Sequence, residues 1–125
     1  MIERKKNVLV ADDDPGVREF IADTLNGNGF HAIVAKDGVE ALRLVDVSLE
    51  PIDVLLIDVV MPRLNGKELA RTIQSHHPEM KIILISGYPD DFLARHGVPI
   101  EKMRYLKKPF TANSLLDAVR DESYL

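Results

Sequence analysis

The chain contains no cysteine. That excludes a disulfide framework, a thiol nucleophile and a thiolate metal site, so packing alone must hold the fold. No apolar run approaches the roughly 20 residues that cross a bilayer. Charged residues Glu3 to Lys6 and a five-residue strand follow Met1, which is too short an apolar region for a secretory signal. A cytoplasmic protein without a membrane partner is expected. There is no excess of positive charge either: the net charge of -4 argues against a general nucleic-acid binder, so any DNA contact would come from another domain or partner. The histidines His31, His76, His77 and His96 lack a metal-ligand spacing. His76 and His77 read as polar groups at a helix C-terminus before Pro78. No repeat, low-complexity segment or linker interrupts the 125 residues, which read as a single domain over 1–125.

What is present is a set of short apolar runs, each ending in a polar residue. The central one runs from Asp53 to Asp58 with nothing polar between, the pattern of a parallel strand buried on both faces. Asn7-Val8-Leu9-Val10-Ala11 is a second, ending in Asp12-Asp13-Asp14-Pro15, where Asp14 suits an N-cap and Pro15 the first helical position. The helix that follows carries Val17, Phe20, Ile21, Thr24 and Leu25 on one face and stops at Asn26-Gly27-Asn28-Gly29. Phe30 to Ala35 predicts a strand. Asp37-Gly38 opens a helix with Ala41, Leu42, Val45 and Leu49 inward, closed by Pro51. Asn65 and Glu68 have capping-box spacing before a helix that buries Leu69, Thr72 and Ile73.

Lys81 to Ile85 predicts a fourth strand ending at Ser86-Gly87. A short helix from about Pro89 to Gly97 has the weakest pattern. Met103 to Lys107 predicts a fifth strand ending at Lys108-Pro109, and Thr111 caps a last helix with Leu115, Leu116 and Val119 facing in. Strands alternating with helices five times select an α/β parallel sheet covered on both faces.

In that topology the loops leading into helices leave one edge of the sheet. They deliver Asp12, Asp13 and Asp14 after strand one, Asp58 after strand three, Ser86 after strand four and Lys108 after strand five. Crowded carboxylates repel, and a hard divalent cation held through oxygen, such as Mg²⁺, relieves that repulsion. An amine and a hydroxyl opposite it complete a site for a phosphoryl group. Asp58 is placed as nucleophile, since a carboxylate is ionised at neutral pH and needs no general base. Taken singly, each of these residues has a bland reading: Asp14 as a cap, Asp58 as a strand-end aspartate, Ser86 as a turn residue, Tyr105 as an edge aromatic and Lys108 as a surface lysine. Independent accidents at four strand ends on one edge combine poorly.

Leu9-Val10-Ala11-Asp12-Asp13-Asp14, Ile57-Asp58 with Met61-Pro62, Ile85-Ser86-Gly87 and Tyr105-Leu106-Lys107-Lys108-Pro109-Phe110 together resemble the receiver (CheY-like) domain of two-component response regulators. The resemblance implies a flavodoxin-like (βα)5 three-layer sandwich with strand order 2-1-3-4-5. It implies Asp58 as phosphoacceptor, charged by a histidine kinase or histidine phosphotransfer protein. It implies Mg²⁺ held by Asp12, Asp13, Asp58 and the backbone carbonyl of Val60. Ser86 and Tyr105 would be the switch pair, and Lys108 the partner of the phosphoryl group, with its bond to Pro109 cis. The family's output surface is built from the fourth helix, fifth strand and fifth helix, and a homodimer through it is one arrangement open to this chain. The output partner is unknown. Parent architectures consistent with the sequence are a single-domain regulator or a receiver from a hybrid kinase or DNA-binding regulator. Val60 and Tyr88 depart from the pattern, one apolar and one bulky. Rival readings are a Mg²⁺-dependent phosphohydrolase, which would need a second acid just after Asp58, and a phosphorylation-independent interaction domain.

Overall fold

The computed structural model describes residues 4–60, 65–88, 93, 95, 97 and 103–120. Strands β1 (Lys6–Ala11), β2 (Phe30–Ala35), β3 (Val54–Asp58), β4 (Lys81–Ser86) and β5 (Arg104–Lys107) form one parallel sheet in the order β2-β1-β3-β4-β5. Helices α1 (Pro15–Asn26), α2 (Gly38–Val47), α3 (Gly66–His76) and α4 (Ala112–Arg120) are the described helices. The helix expected between Pro89 and Gly97 lies largely outside the described residues. Within it Leu93 is helical and buried.

Strand alternation explains the two cores. Side chains of successive strand residues point to opposite faces, so Leu9, Leu55, Ile57 and Leu84 pack with Ala41, Val45, Leu69 and Ile73 of α2 and α3. Val8, Val10, Leu56, Ile83 and Ile85 pack on the other face with Ile21 and Leu25 of α1 and Leu115 and Val119 of α4. Each fully buried Leu or Ile contributes about 1.5–3 kcal/mol. A cap contributes about 1 kcal/mol, so the two layers dominate stability and the caps set where helices begin.

The caps follow the sequence closely. Asp14 Oδ1 accepts from the Gly16 and Val17 N–H groups at 2.8 and 3.3 Å. Asn65 Oδ1 accepts from Glu68 N–H, but the return bond runs from Asn65 Nδ2 to Glu68 Oε1, not from the Asn65 backbone. Thr111 and Ser114 exchange backbone N–H to hydroxyl bonds at 2.9 and 3.1 Å.

Two side chains expected inward are exposed. Helix α2 ends at Val47 with Ser48 as C-cap, so Leu49 falls beyond the helix and is fully exposed. Phe20 sits at the rim of α1, 43% exposed, its ring 6.1 Å from that of Phe110. At the sheet's other edge buried Asn7 uses its whole amide: Nδ2 donates to Glu50 Oε2 and Pro51 O, while Oδ1 meets His31 Nδ1. These bonds join β1, β2 and the loop into β3.

Candidate functional site

Asp58 is the last residue of β3 and faces Ile85 across the ladder, so β4 brings Ser86 one step further along the same edge. Its carboxylate is nearly buried and held at both oxygens. Oδ1 accepts from Val60 N–H at 3.0 Å and Oδ2 from Lys108 Nζ at 3.1 Å. Asp12, the first residue after β1, is fully buried. Its Oδ1 accepts from Asp14 N–H at 2.9 Å, while Oδ2 has no hydrogen-bond partner among the described residues and lies 3.8 Å from Lys108 Nζ. Asp13 is exposed. Carboxylate oxygens of Asp12, Asp13 and Asp58 lie within 4.8 Å of one another.

Electrostatics follow from that crowding. Burial, with the Asp58 charge added to it, pushes the Asp12 carboxyl up to about 6. Burial works against the Lys108 ammonium, but Asp58 first, then Asp12 and Asp13, outweigh it and hold its pKa above the ordinary lysine value. An orphaned buried carboxylate oxygen and three converging carboxylates form an all-oxygen donor set, which fits a hard divalent cation.

Ser86 is buried, and its hydroxyl accepts from Tyr88 N–H at 2.9 Å. Tyr105, half-buried on β5, donates from Oη to Tyr88 O at 2.5 Å, with Ser86 O further off at 3.5 Å. Tyr88 is therefore gripped at its N–H by Ser86 and at its carbonyl by Tyr105. Lys108 N–H donates to Ser86 O at 2.8 Å, and the Lys108–Pro109 bond is cis. Val60 is 55% exposed and engages Asp58 through its N–H. Met61 and Pro62 lie outside the described residues. A cleft of about 550 Å³ opens beside Lys108, walled by Val17, Phe20, Pro109 and Phe110.

Thus Asp12, Asp13, Asp58 and Lys108 converge, while Ser86 and Tyr105 meet each other through Tyr88. Two residues escaped the sequence reading. Gly66, in the first turn of α3, packs on the strand end: a Cβ there would fall on the Asp58 carbonyl oxygen and the Val59 Cα, and its N–H donates to Val59 O. A glycine where alanine would form a better helix was the available signal. Arg18 Nη1 donates to the Asp12 carbonyl at 2.7 Å.

Comparisons with known proteins converge on one family and one fold. A family model described as response regulator receiver domain matches residues 8–120. The response regulator MprA of Mycobacterium ulcerans is 37% identical over 113 residues, covering 90% of this chain and 48% of that protein. The sensor kinase CckA of Brucella abortus is 34% identical over 114 residues, 91% of this chain and 12% of that protein. The chain therefore spans half or less of the curated relatives it matches. Among solved structures, a Francisella response regulator 1452 receiver domain superposes with a TM-score of 0.80 at 33% identity, covering 92% of this chain and 93% of that one. The chemotaxis protein CheY4 of Vibrio cholerae gives 0.83 at 25% identity over 94% and 98%.

Proposed function

The chain belongs to the response regulator receiver domain family and acts in phosphorelay signalling, and from that premise we propose that Asp58 is its phosphoacceptor and that residues 1–125 work as one receiver unit. The observation that carries this reading is the nearly buried Asp58 carboxylate, bonded to Lys108 and Val60 N–H beside the carboxylates of Asp12 and Asp13.

Receiver domains bind Mg²⁺ at an acidic pocket. In this chain Asp12, Asp13, Asp58 and the Val60 carbonyl would hold it. Bound there, Mg²⁺ supplies positive charge to the oxygens of the transferring phosphoryl group. An Asp58 oxygen bonds to phosphorus, the N–P bond of a phosphohistidine breaks, and its electron pair returns to the imidazole. The donor is a histidine kinase or phosphotransfer protein, approaching over the exposed Asp13. A donor charged from ATP is met in the cytoplasm, where this reading places the chain.

Lys108 then follows the negative charge from Asp58 Oδ2 to the new oxygens. The Ser86 hydroxyl turns from Tyr88 N–H to the phosphoryl group, and this frees one end of a residue whose other end Tyr105 holds. A local charge event thereby biases the position of Tyr105 and the surface around it. The same groups assist acyl-phosphate formation and hydrolysis in this one chain, which is a signalling module.

The test is intact mass after incubation with acetyl phosphate, with and without Mg²⁺, on wild type and Asp58→Asn. One phosphoryl adduct requiring both Mg²⁺ and Asp58 is expected. A folded wild type that takes up no phosphoryl group would sink the reading and revive the phosphorylation-independent interaction domain.

A further inference from the structure

Arg18 lies on α1, four residues beyond the cap Asp14, and is half-buried. Its guanidinium folds back over the helix N-terminus to reach the Asp12 carbonyl at 2.7 Å. A cation at that end opposes the helix dipole, so the helix itself does not account for it. Yet among the described residues Arg18 forms no ion pair with any carboxylate.

That choice of partner matters. The Asp12 backbone is gripped on both sides, its N–H donating to Ala35 O at 3.2 Å and its carbonyl accepting from Arg18. Its side chain carries a buried oxygen with no hydrogen-bond partner among the described residues, 3.8 Å from Lys108 Nζ and within reach of two other carboxylates. Repulsion among those carboxylates, which Lys108 offsets only in part, acts to swing the loop outward, and the two backbone bonds oppose it. A guanidinium forked onto the carboxylate would occupy the oxygens a cation needs. Bonded to the carbonyl, it holds the residue in place and leaves them available.

We propose that Arg18 is a positioning residue for the acidic cluster, which fixes the Asp12 backbone so that its carboxylate stays aimed at a divalent cation. This rests on the reading of Asp12, Asp13 and Asp58 as the Mg²⁺ site, and deepens it. Arg18 raises the affinity for Mg²⁺ in spite of its like charge.

The experiment is calorimetric titration of Mg²⁺ into the metal-free full chain as wild type, Arg18→Met and Arg18→Lys, with thermal melts in EDTA. Arg18→Met is expected to bind Mg²⁺ about tenfold more weakly, the range typical for losing a group that orients a metal ligand. Arg18→Lys should fall between it and wild type. Acetyl phosphate labelling of Arg18→Met should need correspondingly more Mg²⁺ for half its maximal rate and reach the wild-type rate at saturation, a split that general loosening of the fold would not produce. Unchanged or tighter Mg²⁺ binding in Arg18→Met overturns the proposal, because charge repulsion alone would then describe the residue. Should Arg18→Met not fold, Arg18→Lys decides: weaker binding supports the proposal and unchanged binding overturns it. A wild type that binds no Mg²⁺ overturns the metal reading and this proposal together, whereas wild-type affinity in the variants overturns this proposal alone.

Discussion

Asp12 concentrates the conflict in the site. Burial first, then the neighbouring Asp58 charge, moves its carboxyl from 3.8 up to about 6. Between those values the folded chain holds more protons than the unfolded chain, so this group's contribution to stability is present below about 4 and is lost as pH rises through about 6. Asp12→Asn removes the group and with it the loss. Thermal melts in EDTA should therefore show Asp12→Asn gaining on wild type between pH 4 and pH 7, and more stable by a few degrees at pH 7. A difference in melting temperature that stays constant across that range would refute the buried-charge account. Asp53 at the opposite edge behaves in the other sense. Burial opposes its charge, but Arg4 and the Asn7 N–H more than offset this, and its pKa is lowered. Comparing Asp12→Asn with wild type cancels that contribution.

At the scale of elements, the site depends on how closely α3 approaches the end of β3. Gly66 sits where any side chain would meet the Asp58 carbonyl and Val59 backbone, and neither is a flexible tip that can swing aside. Overpacking of this kind typically costs about 1–3 kcal/mol. Gly66→Ala is expected to lower the unfolding free energy by that amount, read as a lower urea midpoint with an unchanged m-value, and to slow phosphorylation because the shifted backbone carries Asp58 and Val60. An unaltered midpoint would mean that α3 can retreat freely, and the close approach would have no bearing on the site. The Asp14 and Thr111 caps show the complementary case, in which a helix start is decided locally by residues adjacent in sequence.

For the molecule as a whole, a cation that binds only the folded site must stabilise the fold by mass action. At a hundred times its dissociation constant the gain is about 2.7 kcal/mol, several degrees of melting temperature for a domain of this size. Mg²⁺ at pH 7.5 should produce that rise in wild type and little of it in Asp13→Asn. An equal rise in both would place the cation elsewhere. The two apolar layers remain the larger contribution, since the fully buried chains Leu9, Leu55, Leu56, Ile57, Ile83 and Leu84 all lie in the central three strands.

Alternating short apolar runs and helical periods determined the parallel sheet, the resemblance of its motifs supplied the strand order the fold shows, and the polar residue ending each run determined which side chains reach the site edge. Those features are local, written in spacings of two and of three to four residues. The convergence of Asp12, Asp13, Asp58 and Lys108 was legible because a strand end is legible. Tertiary structure alone decided what depends on approach between distant segments. Leu49 reads inward by helical period, yet α2 stops at Val47 and leaves it exposed. Phe20 meets Phe110 at a rim, Gly66 is compressed against Asp58, and Arg18 turns back to the Asp12 carbonyl. Phe20 and Gly66 are settled by the distance between elements that the chain brings together only on folding, which no pattern along one element encodes. Leu49 and Arg18 are settled instead by where a helix stops and how a side chain folds back, which helical period alone does not encode either.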